Sequence, residues 1–105
     1  MFIKEPDVLK RAIQVYGGMG QSDIAIEEMA ELTKAIIKKR RLFARAPAKA
    51  LAKCNTKICE EIADVYIMLE QLAVIYDPES ERIQDFIDRK VERLSATLRE
   101  VRGWG

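Results

Sequence analysis

The chain of 105 residues contains no histidine. That absence removes the Ser-His-Asp triad, the Cys-His pair and every histidine-held metal site. Any catalysis must run on carboxylates, Lys, Arg, Tyr or a bound metal. Cysteine is scarce as well: Cys54 and Cys59 lack a C-x-x-C spacing and read as ordinary reduced thiols, not as a disulfide framework or a zinc site. With five Gly, three Pro and no segment that alternates like a strand, the whole chain reads helical. No apolar run approaches the ~20 residues of a membrane span, and Met1-Phe2-Ile3-Lys4-Glu5 shows no signal peptide. A cytoplasmic protein without a membrane partner is expected. A Walker-type phosphate loop is missing too, because Gly17-Gly18-Met19-Gly20 lacks the following Gly-Lys-Ser/Thr.

The composition, 49% hydrophobic and 33% charged, is that of a soluble globular chain. Its length implies one domain over residues 1–105. The net charge of +1 predicts no strong nucleic-acid binding. The distribution is uneven, however: Lys38, Lys39, Arg40, Arg41, Arg45, Lys49 and Lys53 follow one another with no acid between them.

Four helices are expected. The first opens at Pro6-Asp7 and runs to about Val15, with Leu9, Ala12 and Ile13 on its apolar side. Gly17-Gly18-Met19-Gly20 breaks it. Ser22 is placed as the N-cap of a second helix over about Asp23 to Phe43, striped by Ile24, Met29, Leu32 and Ile36. Pro47 ends it, and Asn55 or Thr56 caps a third over about Lys57 to Tyr76. Asp77-Pro78 starts a fourth that runs to about Val101. Gly103-Trp104-Gly105 reads as a frayed tail. The third helix is apolar nearly all round, from Ile58 to Ile75, so it must be buried on every side. A small antiparallel bundle cannot do that alone, and an oligomer built on this helix is expected.

Two acidic motifs carry the chemistry: Glu27-Glu28-Met29-Ala30-Glu31-Leu32 and Glu60-Glu61-Ile62-Ala63-Asp64-Val65. Each holds a carboxylate pair at i, i+3, on one helix face a turn apart. Each is set among apolar residues, where carboxylates are rare unless paired or bound to a metal. Four carboxylates converging from two helices would repel strongly, and a hard divalent cation with oxygen ligands, such as Mg²⁺, relieves that.

The pattern Glu28-x-x-Glu31, about thirty residues, then Glu61-x-x-Asp64 resembles the MazG-like branch of the all-α nucleoside triphosphate pyrophosphatases. Tyr16-Gly17, Gln21 and Ala25-Ile26 ahead of the first motif resemble its small phage- and prophage-type members. So do Asn55 ahead of the second and Ile67-Met68-Leu69-Glu70-Gln71-Leu72 after it. Lys90-x-x-Arg93-Leu94 resembles the basic motif of the family's last helix, and Tyr16 stands where Trp is common.

The resemblance implies an all-α four-helix bundle of the NTP pyrophosphatase type, assembled as a homodimer or homotetramer. It also implies Mg²⁺-dependent hydrolysis of an NTP or dNTP to the monophosphate and pyrophosphate, with Mn²⁺ able to substitute. Glu28, Glu31, Glu61 and Asp64 then hold the metal and carry the catalysis, with Glu28 as the candidate base. Gln21, Lys34, Lys38, Lys90 and Arg93 are the candidate substrate contacts. Tyr16 or Trp104 could stack on a base, against core and tail roles, and Asn55 could read a base or cap a helix. The run from Lys38 to Lys53 is expected as a solvated helix end and loop that orders over the phosphates. Other readings stay open: a phosphoribosyl-ATP pyrophosphatase-like enzyme, a non-catalytic helical module with its carboxylates salt-bridged across the bundle, and a nucleic-acid binder resting on the basic run alone.

Overall fold

The computed structural model describes residues 3–101; the tail expectations, Trp104 included, lie outside them. The described chain is all-α, with four helices: α1 (Pro6–Tyr16), α2 (Gly18–Leu42), α3 (Ala48–Tyr76) and α4 (Arg82–Arg99). No described helix is long and apolar enough to cross a membrane. Cys54 and Cys59 are free thiols, the first buried and the second exposed.

The core is the antiparallel hairpin of α2 and α3, 25 and 29 residues long, with α1 laid across both. Its register can be read from pairs along the seam: Gly18 against Ile75, Gln21 against Gln71, and Glu28 against Asp64. Close approach is built in at one end, since a Cβ on Gly18 would already lie 3.4 Å from Ile75 Cγ2. Only Gly17, at φ +84°, separates α1 from α2, because that backbone conformation costs an L side chain and not glycine. The expected four-residue break is therefore a one-residue hinge. Ser22 lies inside α2 and donates to the Gly18 carbonyl at 2.8 Å, so it does not cap the helix.

Two other boundaries differ from expectation. α3 starts directly after Pro47, whose extended backbone (φ −67°, ψ 158°) delivers the chain into the helix, so Asn55 and Thr56 are interior residues. The good helix formers Ala48, Lys49, Ala50, Leu51 and Ala52 need no later cap to begin. At the other end, Pro78 and Glu79 belong to a turn, with Ser80 in the left-handed region at φ 58°, and α4 begins at Arg82. Asp77 still caps α4, but from five and six residues upstream: its Oδ1 accepts from the Arg82 N–H at 3.2 Å and its Oδ2 from the Ile83 N–H at 3.0 Å.

The buried face of α2 is not the expected stripe. Ala25 and Gln21 are buried and Leu32 half-buried, while Ile24, Met29, Ile36 and Ile37 are exposed. The face turned to α3 is thus built from small and polar residues, and the large aliphatics point away. α3 shows the same excess, with Ile62, Ile67, Leu69 and Val74 exposed. α4 stands apart from the other helices and leaves Ile83, Phe86, Ile87, Val91 and Leu94 in solvent. Its own i, i+3 and i, i+4 contacts sustain it, including Arg89 to Asp85 at 2.8 Å and the Arg89 guanidinium over the Phe86 ring. The radius of gyration is 17.6 Å, against roughly 13 Å for a compact chain of this length. The exposed area is 8754 Å², against roughly 6,000 Å² for a compact chain of this mass.

The two backbone N–H groups on Asp77, that of Ile83 first, hold its carboxyl below its ordinary value of 3.8. The folded state therefore prefers the charged form. The cap is fully present above the ordinary value and is lost as pH falls through the lowered one. Asp77→Ala should lower the melting temperature by a few degrees and reduce far-UV helicity at pH 7, with Asp77→Asn retaining most of both. Acid titration followed by circular dichroism should show a transition below pH 3.8 that the alanine variant lacks.

Candidate metal centre

α2 and α3 are long helices packed along their length, so acids on their facing sides meet. α2 contributes Glu28, half-buried; α3 contributes Glu61, 5% exposed, and Asp64, half-buried. One carboxylate oxygen from each lies within 4.8 Å of those of the other two. Burial first, then the Asp64 charge and a hydrogen bond shared with Asp64, then the Glu61 charge, raise the Glu28 carboxyl above its ordinary 4.5. Three negative groups thus share a patch of interface that water reaches poorly.

Glu31, the fourth expected ligand, is not in the cluster. It sits a turn further along α2, exposed, with Lys34 Nζ 3.3 Å from its Oε1. Glu61 is the buried member and has its own cation: Lys57, one turn earlier on α3, places Nζ 2.9 Å from Glu61 Oε1 and 3.5 Å from Glu60 Oε1. The hydrogen bond to Glu61, then the charges of Glu60 and Glu61, raise the Lys57 ammonium above 10.5, so it remains protonated.

From Lys57 a groove of about 220 Å³ continues between the helices, with Lys53 and Lys57 on one wall, Lys38 on the other and Cys54 in its floor. The structure therefore places Lys38 opposite Lys53 and Lys57, in a groove that the three carboxylates do not themselves line. It adds Lys57, which sequence reasoning passed over, and puts Lys53 of the basic run on the groove wall. The signal was there: Lys53, Lys57 and Glu61 recur every four residues, one face of one helix.

The remaining candidates are placed elsewhere. Lys34 serves Glu31. Lys90 and Arg93 lie on the solvated α4 and form no ion pair among the described residues. Gln21 is 4% exposed and donates Nε2–H to Gln71 Oε1 at 2.7 Å, while its own Oε1 has no partner. It forms a core polar pair with Gln71, further along the seam from the carboxylates. Tyr16 ends α1 in solvent, and Asn55 is an exposed interior residue of α3.

The donor set fits a hard divalent cation: three carboxylates, no nitrogen or sulfur, and a charge crowding that a cation relieves. Neither family models, nor curated proteins, nor solved structures give a match to this chain.

The raised Glu28 carboxyl has a sign in stability. The folded state favours the proton, so the metal-free protein loses stability as pH rises from 4.5 through the raised value. Glu28→Gln should remove that loss, leaving the metal-free protein at pH 7 as stable as wild type or a few degrees more so. The same variant should lose the upward melting shift that millimolar Mg²⁺ gives wild type. Glu61→Gln should stabilise less than Glu28→Gln, because it gives up the Lys57 pair at 2.9 Å. Thermal melts with and without Mg²⁺ check all three.

Proposed function

We propose that the chain is a Mg²⁺-dependent nucleoside triphosphate pyrophosphohydrolase of the MazG-like kind, releasing a monophosphate and pyrophosphate. The observation that carries the reading is the cluster of three carboxylates at one point of the α2–α3 seam, whose buried member pairs with Lys57, a residue that also lines a groove with Lys53 and Lys38. Carboxylates alone repel a triphosphate, and lysines alone give no reason for the buried acids; a metal-bound polyphosphate accounts for both.

Glu28, Glu61 and Asp64 are the residues to hold the ion. When bound, the ion lowers the pKa of a coordinated water and withdraws charge from the phosphoryl oxygens. The lysines neutralise the β- and γ-phosphates as point charges, so the α-phosphorus falls at the carboxylates. Water oxygen attacks the α-phosphorus, the bridging oxygen leaves with the electron pair on pyrophosphate, and Glu28 takes the water proton. Glu28 suits that task because its basicity is raised and Glu61 is committed to Lys57. Mn²⁺ should replace Mg²⁺ in this oxygen site.

We infer further that the working form is a homodimer or homotetramer. Supporting this are the surplus exposed area, the unpartnered stripe of α4, and the outer aliphatics of α2 and α3. A standard interface removes about 800 Å² from each partner, well within the surplus. A partner would also give the isolated Lys90 and Arg93 a site to serve.

The non-catalytic reading expects carboxylates salt-bridged across the bundle, whereas the ion pairs among the described residues each lie within one helix, those of Glu31 and Glu61 included. A module held by cross-bundle pairs gains no stability from Mg²⁺ and consumes no nucleotide.

A screen of NTPs and dNTPs with Mg²⁺ in ¹⁸O-water should give a monophosphate carrying the label, with unlabelled pyrophosphate. Diphosphate and inorganic phosphate as products contradict the proposal. Asp64→Asn should reduce turnover by at least about a hundredfold with helicity intact, and Lys57→Ala should raise KM more than it lowers kcat. Sedimentation at micromolar concentration should show no folded monomer.

A further inference from the structure

The seven cations from Lys38 to Lys53 do not all serve the groove. α2 ends and α3 begins at the same end of the hairpin, so Lys39, Arg40, Arg41, Arg45 and Lys49 gather around the turn that joins them. Among the described residues none of these five forms an ion pair. Lys49 and Lys53 also stand in the first two turns of α3, where the helix dipole opposes positive charge and no acidic residue offsets it. That placement is costly for α3, whereas Lys39, Arg40 and Arg41 stand in the last turn of α2, where the dipole favours cations. The net charge of +1 hides this gathering of cations, because the acids are concentrated elsewhere, as at residues 23–31 and 60–70.

Amid these cations stands Phe43, 69% exposed, at a hollow of about 400 Å³ that it lines with Lys39 and Arg40. Phe43 lies just past the end of α2, so no later turn of that helix covers its ring. An uncovered aromatic ring flanked by an ammonium and a guanidinium offers a stacking face and two phosphate contacts side by side.

We propose that the α2–α3 tip is a docking surface for single-stranded nucleic acid, with a base stacked on Phe43 and the backbone neutralised by Lys39, Arg40, Arg41, Arg45 and Lys49. Stacking on an aromatic with cations along the strand is how single strands are held without sequence preference. A duplex fits worse, since its bases are already stacked and no helix here is free to enter a groove. An anionic bilayer fits worse too: an interfacial helix needs a broad apolar face, and Phe43 is the one large apolar side chain in the turn from 43 to 47. The site is separate from the groove whose basic walls are Lys38, Lys53 and Lys57.

Fluorescence anisotropy of the full chain with a labelled 20-nucleotide thymidine oligomer tests this. Between 50 and 200 mM NaCl the affinity should fall roughly tenfold to a hundredfold, the slope expected for three to five phosphate contacts. Phe43→Ala should weaken binding by at least about fivefold without changing the salt slope, and Phe43→Tyr should restore it. Arg40→Gln with Arg41→Gln should flatten the slope. Four results overturn the proposal: no binding at 50 mM salt; equal affinity for the duplex; displacement by millimolar ATP with Mg²⁺, which would put the strand in the groove of Lys38, Lys53 and Lys57; or capture by phosphatidylserine vesicles without oligonucleotide binding.

Discussion

The arrangement turns on like charges forced together along a helix seam. α2 and α3 pack for most of their length, and the register that sets Gly18 against Ile75 and Gln21 against Gln71 also sets Glu28 against Glu61 and Asp64. The protein answers in part with its own groups: Lys57 at Glu61, and a Glu28 carboxyl that holds its proton more tightly than usual. In the proposed reading, a divalent cation completes what those two answers begin.

The same constraint explains why the core is polar at its centre and poor in large side chains. Between Gln21 and Leu32, α2 gives the seam Ala25 and Glu28, and its bulky residues face outward. Little apolar area is left to stabilise a lone chain. The exposed aliphatics of α2, α3 and α4 are apolar area that the lone chain leaves uncovered, and the proposed assembly of copies would bury it.

Much of this was legible in the sequence, for reasons that can be named. The paired acids at i, i+3 and the all-round apolar third helix are periodic signals; they located α2 and α3, and three of the four acids they singled out meet at the seam. Boundaries were less legible because local signals compete. Asn55 and Thr56 look like caps, yet Pro47 and an alanine-rich run start α3 earlier. Asp77-Pro78 looks like cap and first turn, yet Asp77 reaches across a turn to Arg82 and Ile83. The stripe of α2 was misassigned because hydrophobic size was taken to mark the inner face, whereas close helix approach selects Gly18, Ala25 and Ala35. That Glu31 falls outside the cluster depends on the helix crossing and on Lys34 beside it, neither of which a spacing rule contains.

The central claim is that the α2–α3 carboxylates hold a divalent ion. Paramagnetic broadening of a ¹⁵N-labelled sample by sub-stoichiometric Mn²⁺ tests it most directly. The account predicts that amide signals around residues 28, 61 and 64 disappear first, that excess Mg²⁺ restores them, and that Asp64→Asn prevents the effect. Broadening spread evenly over exposed acids such as Glu79 and Asp85, with residues 28, 61 and 64 unaffected, would contradict it.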